Sequence, residues 1–178
     1  ARPLGPRGRV LLPDRGAGCS LADMGTFQQV ADCVDQLTEA GISDVTIPVS
    51  YMNSSAATKG FTGRHGGTIC TSSNAKRALE WAFAQGEKVL FLPDQHLGRN
   101  TAVRELGLSL HDCVVYDPRK RFGGNTVEQL LAAKVIICKG SCSVPGRLTT
   151  TSVAEVRARD PVVHWLLHAG CTFALARA

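Results

Sequence analysis

Short apolar runs, mostly of β-branched residues, recur along the chain and alternate with segments of helix-like spacing. The runs are continuously apolar and do not alternate with polar residues, which is typical of parallel strands covered by helices on both faces. Six runs predict strands: Arg9–Leu12, Val45–Val49, Lys88–Leu92, Cys113–Tyr116, Lys134–Cys138 and Val162–Leu167.

The polar positions between these runs mark helix starts. Capping boxes are predicted at Thr26, Thr126 and Ser152, because each is followed three residues later by Gln or Glu. A further helix is predicted over about residues 74–85, with Gly86 as its C-terminal stop. The alternation predicts a three-layer α/β/α fold with a mainly parallel sheet centred on residues 42–142.

Composition narrows the classes of partner. The net charge of the 178 residues is +5, and the basic residues are scattered apart from one cluster at residues 119–121. Aromatic residues make up 6% and do not interleave with the basic ones, so nucleic-acid binding is not expected. No apolar run approaches the ~20 residues that a membrane-spanning helix needs. A soluble cytoplasmic protein that acts on small molecules is expected.

Seven cysteines stand at irregular spacing, which does not predict a disulfide framework or a zinc motif. Cys19, Cys142 and Cys171 each follow a glycine-containing turn just beyond a predicted strand. The carboxyl ends of parallel strands are where α/β sheets bind ligands. For Cys19 and Cys142 two interpretations stay open, a metal ligand or a small buried residue.

Two polar segments also follow apolar runs. Residues 50–59 offer a phenol, an amide and several hydroxyls, and residues 69–74 open a helix with hydroxyls and free backbone N–H groups. Such a helix start suits a carboxylate or a phosphate, although a turn with an ordinary serine N-cap is an alternative. Asp94, His96 and Arg99 lie close together after another strand, but no serine or cysteine stands at a spacing that predicts a catalytic triad.

Five segments in unbroken order resemble the quinolinate synthase family, the iron–sulfur enzymes of NAD biosynthesis. They are residues 11–23, 49–59, 69–81, 89–102 and 134–148. The resemblance implies that Cys19 and Cys142 are ligands of a 4Fe–4S cluster. It also implies that Tyr51, Asn53 and Ser72 bind substrate, with Tyr51 acting in catalysis.

The family fold consists of three similar α/β/α domains around a pseudo-threefold axis. On that template residues 1–19 end the first domain, residues 20–142 form the second, and residues 143–178 begin the third. The family reaction condenses iminoaspartate with dihydroxyacetone phosphate to give quinolinate, with an open iron of the cluster as Lewis acid. The resemblance implies a third cysteine ligand beyond residue 178, so another chain is a possible source of the missing domain.

Two positions depart from the family pattern. Pro145 replaces a histidine of the second cluster loop, and Gly170 replaces a glutamate in the family's His-Pro-Glu-Cys motif. The family cysteine that corresponds to Cys171 is not a cluster ligand. Because the replaced groups carry protons, the isolated chain is expected to bind substrates weakly without turnover. The alternative function is a non-catalytic α/β module that binds small carboxylate or phosphate ligands.

Overall fold

A five-stranded sheet forms the centre of the computed structural model, which describes residues 19–172 and residue 175. All four strand pairings are parallel, and the strand order is β2-β1-β3-β5-β4. The strands are β1 Thr46–Tyr51, β2 Thr68–Cys70, β3 Lys88–Leu92, β4 Cys113–Tyr116 and β5 Val135–Cys138. The prediction of a parallel sheet centred on residues 42–142 is therefore confirmed.

Helices fill most of the chain between and around the strands. The α-helices are α1 Ser20–Asp23, α2 Phe27–Glu39, α3 Ala56–Arg64, α4 Ala75–Phe83, α5 Gln95–Asn100, α6 Val127–Ala132, α7 Ser143–Gly146 and α8 Thr150–Arg159. A π-helical turn, Thr101–Glu105, continues α5, and short 3-10 turns lie at Ser43–Val45, Leu110–Asp112 and Arg121–Gly124. Within the described residues no helix is long and apolar enough to cross a membrane.

The helices cover both faces of the sheet, which confirms the three-layer architecture. On one side, here called the α4 face, α4 and α5 pack Leu79 and Leu97 against strand residues such as Phe91. On the other side, the α2 face, α2, α3 and α6 pack residues such as Leu37 and Leu130 against the strands. β3 lies in the middle of the sheet and is buried at every position, so the four apolar residues that follow Lys88 serve both layers.

Capping chemistry accounts for where several helices begin. Thr26 and Thr126 each form the predicted capping box, in which the threonine hydroxyl accepts the backbone N–H of a glutamine three residues on. The predicted start at Ser152 is wrong. α8 begins one turn earlier, because the Thr149 hydroxyl accepts the backbone N–H of Ser152. Two hydroxyl residues three apart made both starts plausible from the sequence.

One predicted strand is wrong and one strand was missed. Residues 161–170 form turns and irregular chain instead of a strand, with Val162 79% and Leu166 99% exposed. No described strand lies beside this run to complete its backbone hydrogen bonds, and an apolar run alone does not make a strand. β2 is only three residues long, too short to show a pattern. The predicted strand Arg9–Leu12 lies outside the described residues.

Candidate functional site

The strand order places a ligand-binding crevice between β1 and β3. The chain leaves β1 for α3 on the α2 face and leaves β3 for α5 on the α4 face. Where neighbouring parallel strands send their connections to opposite faces, a crevice opens at their carboxyl ends. Tyr51 is the last residue of β1, and Asp94 follows β3 by two residues.

The three side chains predicted to bind substrate meet at this crevice. The Asn53 amide donates a hydrogen bond to the Tyr51 phenol oxygen at 3.3 Å, and the Ser72 hydroxyl lies close enough to the same phenol to lower its pKa. Tyr51 is 7% exposed. Burial, with a smaller contribution from the nearby Asp94 carboxylate, raises the pKa of Tyr51. Tyr51 therefore stays a protonated hydrogen-bond donor near neutral pH.

Ser72 is not an ordinary helix cap. Asn74 occupies the N-cap position of α4, and its side-chain oxygen accepts the backbone N–H of Thr71 at 2.6 Å. The Ser73 hydroxyl bonds to Thr71 instead of to the Tyr51 phenol. Ser72 thus differs from Ser73 and Asn74 in lying beside the Tyr51 phenol. Beside it, a cavity of about 450 Å³ is lined by Ser72, Ser73 and the chain at residues 166–169.

Asp94 brings a buried carboxylate to the same place. It is 1% exposed, and its Oδ1 accepts the backbone N–H groups of His96 at 2.9 Å and Leu97 at 3.1 Å. Its Oδ2 is buried with no hydrogen-bond partner. Burial raises the pKa of Asp94, against the lowering effect of the two backbone bonds. The sequence showed the residue, but the absence of a triad partner left it without a role.

The turn at residues 168–171 covers this carboxylate. The His168 Nδ1 accepts the backbone N–H of Gly170 at 3.0 Å, and the Asn100 amide donates to the carbonyls of Ala169 and Cys171, each at 2.8 Å. A Cβ atom added to Gly170 would lie 3.2 Å from Asp94 Oδ2. Cys171 is buried with Val153, so its thiol lies in a small apolar cluster.

The two predicted cluster ligands come from loops that touch each other. Cys19 is exposed and directly precedes α1, and Cys142 is half-buried and directly precedes α7. The hydroxyls of the next residues, Ser20 and Ser143, lie 3.4 Å apart. The Cys142 side chain packs against the α4-face core cluster that contains Tyr51, which places this thiol beside the crevice. Neither thiol makes a capping hydrogen bond to its helix.

These two thiols fit part of a cluster site. Soft thiolate sulfur is the ligand that iron–sulfur clusters use, and both side chains have open surroundings for binding. Across residues 19–172 and 175, no three His, Cys, Asp or Glu side chains are grouped so that they could hold a metal ion. The described residues therefore supply two donors of the three that the resemblance implies.

Other cysteines belong to the core. Cys33 and Cys138 lie in the same buried cluster on the α2 face, and the proximity of Cys138, together with burial, raises the pKa of Cys33 well above its usual value. Burial raises the pKa of Cys70 to about 12 and that of Cys113 to about 11. Such thiols stay protonated and unreactive at neutral pH.

The fold is that of a doubly wound α/β protein. Its phenol, amide, hydroxyl and thiol groups lie near the carboxyl ends of β1 and β3, where the strand order changes direction. Residues 1–178 match the family model described as NadA, quinolinate synthetase A protein. The chain is 64% identical over 163 residues to the quinolinate synthase of Streptomyces coelicolor, which covers 92% of this chain and 41% of that protein. It is 46% identical over 169 residues to that of Bacillus subtilis, covering 92% and 44%.

The chain belongs to the quinolinate synthase family, as the sequence motifs predicted. It spans less than half the length of these relatives.

Proposed function

We propose that this chain carries part of a quinolinate synthase active site, in which Tyr51, Asn53 and Ser72 bind a small carboxylate or phosphate substrate. The observation that carries the proposal is that the Asn53 amide donates to the Tyr51 phenol, with the Ser72 hydroxyl beside the same phenol. These neutral donors suit an anionic oxygen, because each can reorient from its internal bond to the ligand. The family substrates, iminoaspartate and dihydroxyacetone phosphate, are both anions of this kind.

Tyr51 takes the catalytic role in this proposal. Its raised pKa keeps the phenol protonated, so it donates a hydrogen bond to a substrate oxygen on which negative charge develops. The hydrogen bond from the Asn53 amide helps to fix the position of the phenol oxygen.

Cys19 and Cys142 are the proposed ligands of the 4Fe–4S cluster. When bound, the cluster supplies a Lewis-acidic iron that polarises a substrate oxygen. The half-buried Cys142 packs against the core cluster that contains Tyr51, whereas Cys19 is exposed. The resemblance places the third thiolate in the family's later domain, on the same polypeptide or on a partner chain.

We expect no turnover by the isolated chain. Pro145 is buried in α7 and has no proton to exchange, and Gly170 has no side chain. In the family pattern these positions carry a histidine and a glutamate, and a general acid or base contributes about 10²-fold or more to rate. These two replacements favour the alternative function, a non-catalytic module that binds carboxylates or phosphates.

Anaerobic reconstitution with iron and sulfide tests the cluster and the activity together. We expect a broad absorption near ~400 nm, typical of iron–sulfur clusters, which Cys142→Ser abolishes and Cys33→Ser, in the core, leaves in place. Chromatography after incubation with both substrates should show no quinolinate above the protein-free control. Absence of any Cys142-dependent absorption would leave the non-catalytic module as the function, and Cys142-dependent quinolinate would show that the isolated chain is an enzyme.

A further inference from the structure

A second charged constellation lies at the carboxyl ends of β4 and β5. Asp117, the residue after β4, is 5% exposed. Its Oδ1 accepts from Arg119 Nε at 2.9 Å, and its Oδ2 accepts from Arg119 Nη2 at 2.9 Å and from Lys139 Nζ at 3.0 Å. These bonds hold the pKa of Asp117 well below its usual range. One buried carboxylate thus fixes two cations side by side.

The constellation occupies another switch point of the sheet. The chain leaves β4 for α6 on the α2 face, whereas the loop after β5 carries Cys142 toward the α4 face. A crevice opens between such strand ends for the same reason as between β1 and β3. Here it is a cavity of about 320 Å³, lined by Asp117, Arg119, Lys139, Gly140, Ser141 and Gln29, among others.

The cavity has an excess of positive charge and unused donors. Two cations face one carboxylate, which leaves a net charge of +1 at the cavity wall. The side-chain oxygen of Gln29 accepts the Thr26 backbone N–H in the capping box, so its amide N–H₂ group remains to donate. Ser141 adds a hydroxyl. A guanidinium and an ammonium held together match the charge and the oxygens of a phosphate group.

We propose that this cavity is an anion site that binds a phosphate group, separate from the site at Tyr51. Gly140 lies between the two sites, where its loop packs directly on the chain that follows β3. A Cβ atom at this position would lie only 2.4 Å from the Pro93 carbonyl oxygen. The Gln95 backbone N–H also donates to the Gly140 carbonyl at 2.8 Å. An anion bound by Lys139 and Ser141 touches the loop that carries Cys142, and so influences the position of that thiol.

The test is a titration of the ¹⁵N-labelled chain with inorganic phosphate and, separately, with glycerol phosphate, at constant ionic strength. We expect saturable shifts of the backbone amides of Gly140 and Ser141 with at least one ligand, and the tighter ligand identifies free phosphate or a phosphate ester as the source. Arg119→Gln and Lys139→Gln should each weaken binding about five- to tenfold, as loss of a charged hydrogen bond does. Lys120→Gln is the matched control, since Lys120 is exposed and does not line the cavity.

The outcomes separate a built site from general attraction. Weakening by the Arg119 and Lys139 variants alone supports the site. Equal weakening by Lys120→Gln would show a diffuse effect of net charge and overturn it. Absence of saturable shifts at Gly140 and Ser141 would overturn it as well. Because shifts at Asn53 and Ser72 report on the other crevice, failure here is distinct from failure of the proposed function.

Discussion

Replacing Asp94 with asparagine should stabilise the protein near neutral pH. The Oδ1 atom caps α5 through two backbone N–H groups, and asparagine keeps an oxygen for this bond. The Oδ2 atom is buried without a partner, and a buried unsatisfied group costs about 1–3 kcal/mol, more when charged. Since the new amide is also unpaired, we expect a net gain of about 1 kcal/mol, or a rise of about 2–4 °C in Tm for a domain of this size.

The gain should depend on pH in a defined direction. Because burial raises the pKa of Asp94, the stability contributed by its protonated form is present in acid and is lost as the pH rises through that raised pKa. Asp94→Asn removes this loss of stability. The variant should therefore be more stable than the wild type at pH 7, and the difference should disappear in acid. Urea denaturation from acid to pH 7, followed by circular dichroism, measures the gain in stability and its dependence on pH.

Asp117 provides the contrasting variant. It is also buried just beyond a strand, but Arg119 and Lys139 lower its pKa, so its stabilising charge is present at neutral pH and is lost as the pH falls. Asp117→Asn should therefore destabilise at pH 7 and converge with the wild type in acid. Destabilisation of Asp94→Asn at pH 7 would refute the reasoning, because it would mean that Oδ2 has a charged partner.

Two further predictions concern glycines. Gly170→Ala should destabilise by about 1 kcal/mol, because the new Cβ lies 3.0 Å from His168 Nδ1 and 3.2 Å from Asp94 Oδ2. An unchanged Tm would mean that the covering turn can move away. Gly123→Ala combines a φ of +66° with a Cβ 2.4 Å from the Tyr116 ring, whereas Gly41→Ala has a φ of +74° but nothing within 4 Å. In urea denaturation, Gly123→Ala should lower the free energy of unfolding by about 1–3 kcal/mol more than Gly41→Ala does. Equal losses would show that the Tyr116 ring moves aside without cost.

The sequence predicted the buried sheet well, because its signals were local. β3 was predicted at its observed bounds, since a strand buried on both faces is marked by a continuous apolar run, here residues 89–92. The capping boxes at Thr26 and Thr126 were also predicted, because their two partners are only three residues apart. The threonine hydroxyl accepts the glutamine backbone N–H, and the glutamine side chain accepts the threonine backbone N–H.

What the sequence could not show depended on distant partners. Val162–Leu167 has the composition of a strand, but strand formation requires a neighbour, which no residue inside the run reveals. The same holds for the sites. Tyr51, Asn53 and Ser72 were grouped by family resemblance, whereas the environment of Asp94 follows only from the fold.

The central claim is that the crevice at Tyr51 binds a small anion, and a succinate titration of the ¹⁵N-labelled chain tests it most directly. We predict saturable shifts of the Asn53 and Ser72 backbone amides, with binding weakened about tenfold by Ser72→Ala, as expected for loss of a hydrogen bond to a charged group. Ser43→Ala, whose lost hydroxyl bonds to Asp44 before the start of β1, should leave the affinity unchanged. Equal weakening by both variants, or shifts confined to Gly140 and Ser141, would contradict the claim.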